Sequence, residues 1–379
     1  MLLGGAITVS NAQTTLPINV VTSAVPFLRI TPDARTGGMG DAGIATSPDA
    51  NSIFSNQAKT PFSSSKWELG VNYVPWLRDL SVNDVYLASI AGYYKIDDVQ
   101  AISGSLRYFS LGNIQFTDFN GVDIKSYRPR EFAIDAGYSR KLNNKIGLAI
   151  ALRYISSNLA NGTLNNVNYK TGTSVAGDIS FFHHGTKDNG EGFNWGVALS
   201  NLGSKISYTG DATQKDFIPA NFGIGAAYTK VFDDQNKITF ALDLHKLMVP
   251  TPPSTVGDSA TVAKALAAYH NKGVVSSWFS SFGDAPGKGS EELKEVNIAL
   301  GAEYWYNNQF AFRAGYFYEN PSKGNRKYFT VGAGLKYNMF GLNFAYLFPS
   351  GNGVNRNPLS NTWRFGLVFQ PKNDWPGPK

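Results

Sequence analysis

The chain contains no cysteine, so disulfides and thiolate metal sites are closed to it, and no lipid-anchoring cysteine follows its N-terminus. No run of eighteen apolar residues occurs, which excludes transmembrane helices. Charged residues are 16% of the chain, below the share of about a quarter usual in soluble domains. The net charge of +6 is dispersed, without the Lys/Arg blocks that mark a nucleic-acid footprint. Patterns of the HExxH, CxxC and GxSxG kinds are also missing. The four histidines, His183, His184, His245 and His270, stand at no ligand spacing, so no metal or cofactor is expected. Asp243 and His245 share one strand face, but nothing around them completes a hydrolase constellation. No catalytic residue is assigned.

What the chain does have is glycine, aromatics and alternation. In the stretch from Glu131 to Ser156, Phe132, Ile134, Ala136 and Tyr138, then Ile146, Leu148, Ile150, Leu152 and Tyr154, fall on one face. Small and polar residues fall on the other, as a period of two requires of a strand. Fourteen such segments are predicted near 67–74, 85–96, 99–110, 131–141, 145–156, 174–184, 192–200, 220–232, 237–247, 294–306, 309–319, 327–338, 341–349 and 361–370. Most have the length that crosses a bilayer when tilted, roughly 9–11 residues, longer than the roughly 5–6 of a soluble sheet. Connections alternate short and long, as in outer-membrane barrels with tight periplasmic turns and longer extracellular loops. The charged residues Arg107, Asp135, Arg153, Asp178, Asp243, Glu303, Arg313, Lys336 and Arg364 share the face opposite the apolar one. The charged face is therefore the lumen and the apolar face meets lipid.

The expected fold is an all-β, 14-stranded antiparallel transmembrane barrel in a bacterial outer membrane. Residues 1–12 read as the final part of a signal peptide, with Ser10 and Ala12 before the cleavage point. Residues 13–66 read as a periplasmic segment and hatch, residues 67–370 as the barrel and 371–379 as a tail. The insertion 248–293 is extracellular, with a helix from Ser259 to His270 bearing a stripe of Val262, Leu266 and Ala267. After it, Trp278, Phe279 and Phe282 are candidates for partner docking. Asp135 and Arg153 are expected as a luminal pair, diagonal across a turn at Leu142–Asn144. Wall residues such as Gly137, Ala149, Gly196, Gly223, Gly225 and Gly301 are too small to fill so wide a barrel. The turn-rich segment from Val25 to Lys59 is the candidate filling. Its GGMGDAG run lacks the preceding strand of a phosphate loop.

The segment SAVPFLRITPDARTGGMGDAGIATSPDANSIFSNQAK, residues 23–59, resembles the PorV (LptO) family, with GVALSNLG at 196–203 consistent with it. These are outer-membrane barrels of the Bacteroidetes type IX secretion system, within a wider group resembling fatty-acid-transporter barrels with an N-terminal hatch. The resemblance implies a non-enzymatic role: binding the C-terminal signal domain of exported cargo and carrying it to the cell-surface attachment machinery. Implied partners are the giant translocon barrel, C-terminal domains of secreted cargo, attachment-complex proteins and outer-membrane lipid. It also implies that Pro26, Phe27, Arg35, Gly37, Gly38, Met39, Gly40, Asp41, Ala42 and Gly43 belong to the hatch. The alternative is uptake of hydrophobic small molecules through the same kind of barrel.

Overall fold

The computed structural model describes residues 20–78, 82–117, 120–164, 167–210, 215–253, 258–350 and 361–371. The expected signal peptide and nearly all of the tail lie outside them. Fourteen strands close into one barrel. They are β1 (Trp67–Pro75), β2 (Val85–Lys95), β3 (Gln100–Leu111), β4 (Arg130–Lys141), β5 (Ile146–Asn158), β6 (Gly172–His183) and β7 (Gly192–Gly203). The second half is β8 (Asn221–Val231), β9 (Asn236–Leu247), β10 (Asn297–Tyr306), β11 (Phe310–Tyr318), β12 (Lys327–Tyr337), β13 (Phe340–Pro349) and β14 (Trp363–Phe369). Each strand pairs antiparallel with its sequence neighbours, and β1 closes on β14 through Leu69–Tyr73 against Phe365–Phe369. Closure leaves no edge, so every spanning backbone group finds a partner without water.

The two faces separate as the alternation predicts. Ile102, Leu106, Ile134, Leu148, Ile150, Leu152, Phe240, Phe329 and Phe365 are exposed on the outside. Arg107, Asp135, Arg153, Asp243, Glu303, Arg313 and Arg364 are buried inside. Short turns join β2 to β3, β4 to β5, and so on around one end. In the β12–β13 turn Asn338 takes the left-handed backbone (φ 52°), which Asn tolerates better than other side-chain-bearing residues. The long connections gather at the opposite end, where small hairpins (114–117 with 123–127, and 162–164 with 167–169) stand on the barrel.

One register differs from expectation. Asp135 lies directly opposite Arg153, not diagonal to it. The Leu142 N–H donates to the Ile146 carbonyl, so the turn tip is 143–145. Asn143 Oδ1 fixes that tip by accepting from the N–H groups of Lys145 and Ile146. Moving the tip by one residue brings the two side chains face to face.

The insertion between β9 and β10 carries helix α2 (Ser259–Asn271), capped by Asp258, whose carboxylate accepts from the Thr261 N–H. That bond holds the Asp258 carboxyl below its usual range. Half-buried Val262 and Leu266 face inward as expected, but Ala267 is exposed. Tyr269 completes the inward stripe by packing edge-on against Phe217. A second helix, α3 (Val274–Ser280), follows.

Candidate functional site

The inward wall and the N-terminal segment form one packed unit. Val25, Phe27 and Leu28 join Val74, Val85, Leu87, Phe109, Ile155, Ile206 and Ile218 in an apolar cluster. Val74, Val85, Leu87, Phe109 and Ile155 stand at the long-connection ends of their strands, and Ile206 and Ile218 lie in the connection between β7 and β8. The described part of the segment therefore starts at that end. Its apolar first residues find their cluster there, and the Ala24 N–H donates to the Phe217 carbonyl. At its far end Phe62 meets Phe182 and His184, and Lys141 lies over its ring. These are short-turn-end residues, from which β1 then starts back up the wall.

Between those ends the segment lies on wall glycines. A short helix, α1 (Ala34–Gly38), is capped by Asp33 accepting from the Thr36 N–H. The Gly38 and Gly332 backbones touch, since a β-carbon on either would come within 3.2 Å of the other's Cα. Gly40 has φ +67°, and a β-carbon there would lie 2.5 Å from the Tyr316 nitrogen. A β-carbon on Gly315 would strike the Gly40 backbone in return. The GGMG run is thus read by the wall glycines Gly301, Gly315 and Gly332. Ile44 covers Gly223 and Gly225, Asn56 covers Gly196, Ala58 covers Gly147, and Gln57 covers Gly137.

Charge pairs fix the orientation. The Glu303 carboxylate accepts two bonds from Arg35, at 2.8 and 2.9 Å, and one from Arg313 at 2.7 Å. Asp41 accepts from Arg364 and from the Tyr328 hydroxyl, both at 2.5 Å. Thr330 accepts from the Gly40 N–H and donates to the Gly38 carbonyl. Asp243 accepts from the N–H groups of Gly43 (2.6 Å) and Ile44 (2.8 Å). Buried Lys59 donates to the Gly43 carbonyl from the other side. Fork-shaped charge-assisted bonds of this kind are strong and directional. Asp243 thereby serves the segment's backbone, while His245 bonds Asn221 and stands 4.0 Å from Asp243.

Of the residues singled out from the sequence, Phe27 stacks on Phe109 and Arg35, Gly37, Gly38, Met39, Gly40, Asp41, Ala42 and Gly43 line this contact. Pro26 opens a turn of 3-10 helix at Pro26–Arg29 and is exposed. Asp135 bonds Arg153 and belongs to a larger wall network. Ser105 and Arg107 flank Asp135, and Arg153 also grips Asp178 at 2.8 Å. In the GVALSNLG segment Asn201 has φ 58° beside a bulge in β6. Its N–H donates to Asp178, its amide oxygen accepts from Arg153, and its amide nitrogen donates to the Pro219 carbonyl. Sequence reasoning passed over Ile44, Asn56, Gln57 and Ala58, although the wall glycines they cover were its own clue.

Trp278 does not share the exposure of Phe279 and Phe282. Trp278 is half-buried, Phe279 is open, and Phe282 packs against Phe222 of β8. Among the described residues no group of three or more acidic or histidine side chains is placed to hold a metal ion.

Comparison with known proteins fits this architecture. The toluene transporter TbuX of Ralstonia pickettii superposes with a TM-score of 0.54 at 13% identity, covering 89% of this chain and 97% of that one. A mutant of the monoaromatic hydrocarbon channel TodX superposes at 0.50 with 14% identity, covering 89% and 97%. At such identities the likeness speaks for the fold alone. No curated relative matches the chain. The family described as "Type IX secretion system protein PorV" matches residues 12–254. With most of its length so matched, the chain belongs to the PorV family of outer-membrane barrels.

Proposed function

We propose that this protein is a non-enzymatic carrier of the type IX secretion system, binding the C-terminal signal domain of exported cargo at its long-connection face. It receives cargo beside the translocon barrel and delivers it to the surface attachment machinery. The family match over 12–254 carries this reading. The interior supports it: residues 25–62 act as a hatch, seated on wall glycines and locked by buried charge pairs. A barrel so filled has its working surface outside, on the connections. Helix α2 suits that role, because it has no fully buried residue and lies over the 204–220 connection. Lys205 there donates to the carbonyls of His270 and Lys272 at the end of α2.

The fold shared with TbuX supports a second reading, passage of hydrophobic small molecules. It requires an apolar path, and the luminal face of β10–β14 instead presents the buried pairs of Glu303 and Arg313 with Arg35, and of Arg364 with Asp41. Co-purification from native membranes separates the two. The carrier reading predicts translocon and cargo in the eluate. Their absence, together with accumulation of a hydrophobic solute that depends on this chain, would favour the transporter. Deleting residues 258–272 is expected to leave the barrel inserted while cargo recovery falls at least tenfold.

A further inference from the structure

The second half of the 248–293 insertion touches the outside of the wall. Phe222 of β8 and Lys246 of β9 are register partners on the same outward face as Ile224, Leu242 and Leu244. The Phe282 ring packs edge-on against Phe222 at 6.1 Å, and the Lys246 ammonium lies 5.7 Å from its centre. Lys246 pairs with Glu292 at 2.8 Å and with Glu295 at 2.5 Å. Lys323 pairs with Glu291 at 2.6 Å and Glu295 at 3.0 Å. These bridges hold the segment that follows α3 to the outer rim, directly above the lipid-facing surface.

The helix held there is inside out. Ser277 and Ser281 are 0% exposed and turned to the protein, each hydroxyl donating to a carbonyl three residues earlier. Val275 (58% exposed) and Phe279 (76%) stand at i and i+4 on one outward face of α3, and Phe282 (48%), in the turn just past the helix, is exposed as well. Leu293, 75% exposed, adds to the apolar surface of this segment. A helix over water would turn these side chains inward and its serines out. Small polar residues against protein and large apolar ones outward suit a helix lying in a lipid interface. Exposed Lys288 and Lys294 on the same segment suit the anionic groups found at such a surface.

We propose that α3 is an interfacial helix, with Val275, Phe279 and Phe282 buried in the outer leaflet next to β8 and β9. The apolar stripe then continues the lipid-facing wall upward. The insertion is anchored sideways, and α2 is left as its part facing water. The proposal rests on the outer-membrane placement and not on the carrier role.

The cysteine-free background makes the test direct. Phe279→Cys and, independently, Val275→Cys are labelled with a small fluorophore in the purified full chain and placed in phospholipid bilayers. Quenching by lipids brominated near the headgroup is compared with quenching by aqueous iodide. Leu242→Cys on the wall serves as the lipid reference and Lys264→Cys on exposed α2 as the water reference. Lipid quenching at 275 and 279 of at least half that at 242, with iodide access at least threefold below that at 264, is expected. Iodide access equal to 264 would overturn the proposal and return the stripe to protein docking. Protection from both quenchers would also overturn it, showing the stripe packed within the chain.

Discussion

The two halves of the wall hold the N-terminal segment, the proposed hatch, in different ways. From β9 to β14, the charged wall residues Asp243, Glu303, Arg313 and Arg364 are engaged with Gly43, Arg35 and Asp41 of the hatch, Arg313 through its shared partner Glu303. From β3 to β7, Arg107, Asp135, Arg153 and Asp178 chiefly pair with one another. There the hatch offers only neutral contacts. Asn56 donates to the Phe181 carbonyl, the Ala58 N–H to Ser180, and Arg107 reaches the Leu28 carbonyl and the Phe54 ring. Pulling the hatch away would strand buried charges on the first side and almost none on the second. Unpaired buried charge is far costlier than a lost neutral hydrogen bond. On the proposed reading the hatch is held chiefly by β9–β14, and any opening is expected to start along β3–β7.

Four substitutions test that contrast, in falling order of effect. Gly315→Leu puts a side chain into the Gly40 backbone, where neither main chain has room to yield. Its cost should exceed the ~3 kcal/mol upper end of ordinary overpacking. Trypsin should then cut at Arg35 in the folded barrel, a cleavage absent from the parent. Glu303→Ala leaves Arg35 and Arg313 facing each other across the hatch contact. A loss of about 3–5 kcal/mol in denaturant unfolding is expected, with the same gain in cleavage. Asp135→Ala should destabilise the wall by about 3 kcal/mol yet leave Arg35 protected, because its partners are wall residues. Equal cleavage in the Glu303 and Asp135 variants would erase the distinction between the halves. Gln57→Ala removes only a cover over Gly137, and a change under about 1 kcal/mol is expected.

Much of this was legible in the sequence, and the reason is periodicity. All fourteen strands follow from alternation and turn residues, because a barrel wall imposes a period of two on both its lipid and its luminal side. The small wall residues also mark where the N-terminal segment packs against the strands. The partners were not legible. Asp41 meets Arg364 and Arg35 meets Glu303 across hundreds of residues, and only the closed register brings them together. The Asp135–Arg153 pair was readable in kind but displaced by one residue, since Asn143 sets the turn tip by its own hydrogen bonds. Helix α3 escaped notice because VVSSWFSSFG is short and turns its apolar face away from the protein, so its aromatics read as a loop patch.

The proposed closure of the lumen is most directly tested by ion conductance in planar bilayers. The purified chain should insert without a stable open conductance, and Gly315→Leu should produce one. A steady open channel from the unmodified chain would contradict a hatch locked to β9–β14.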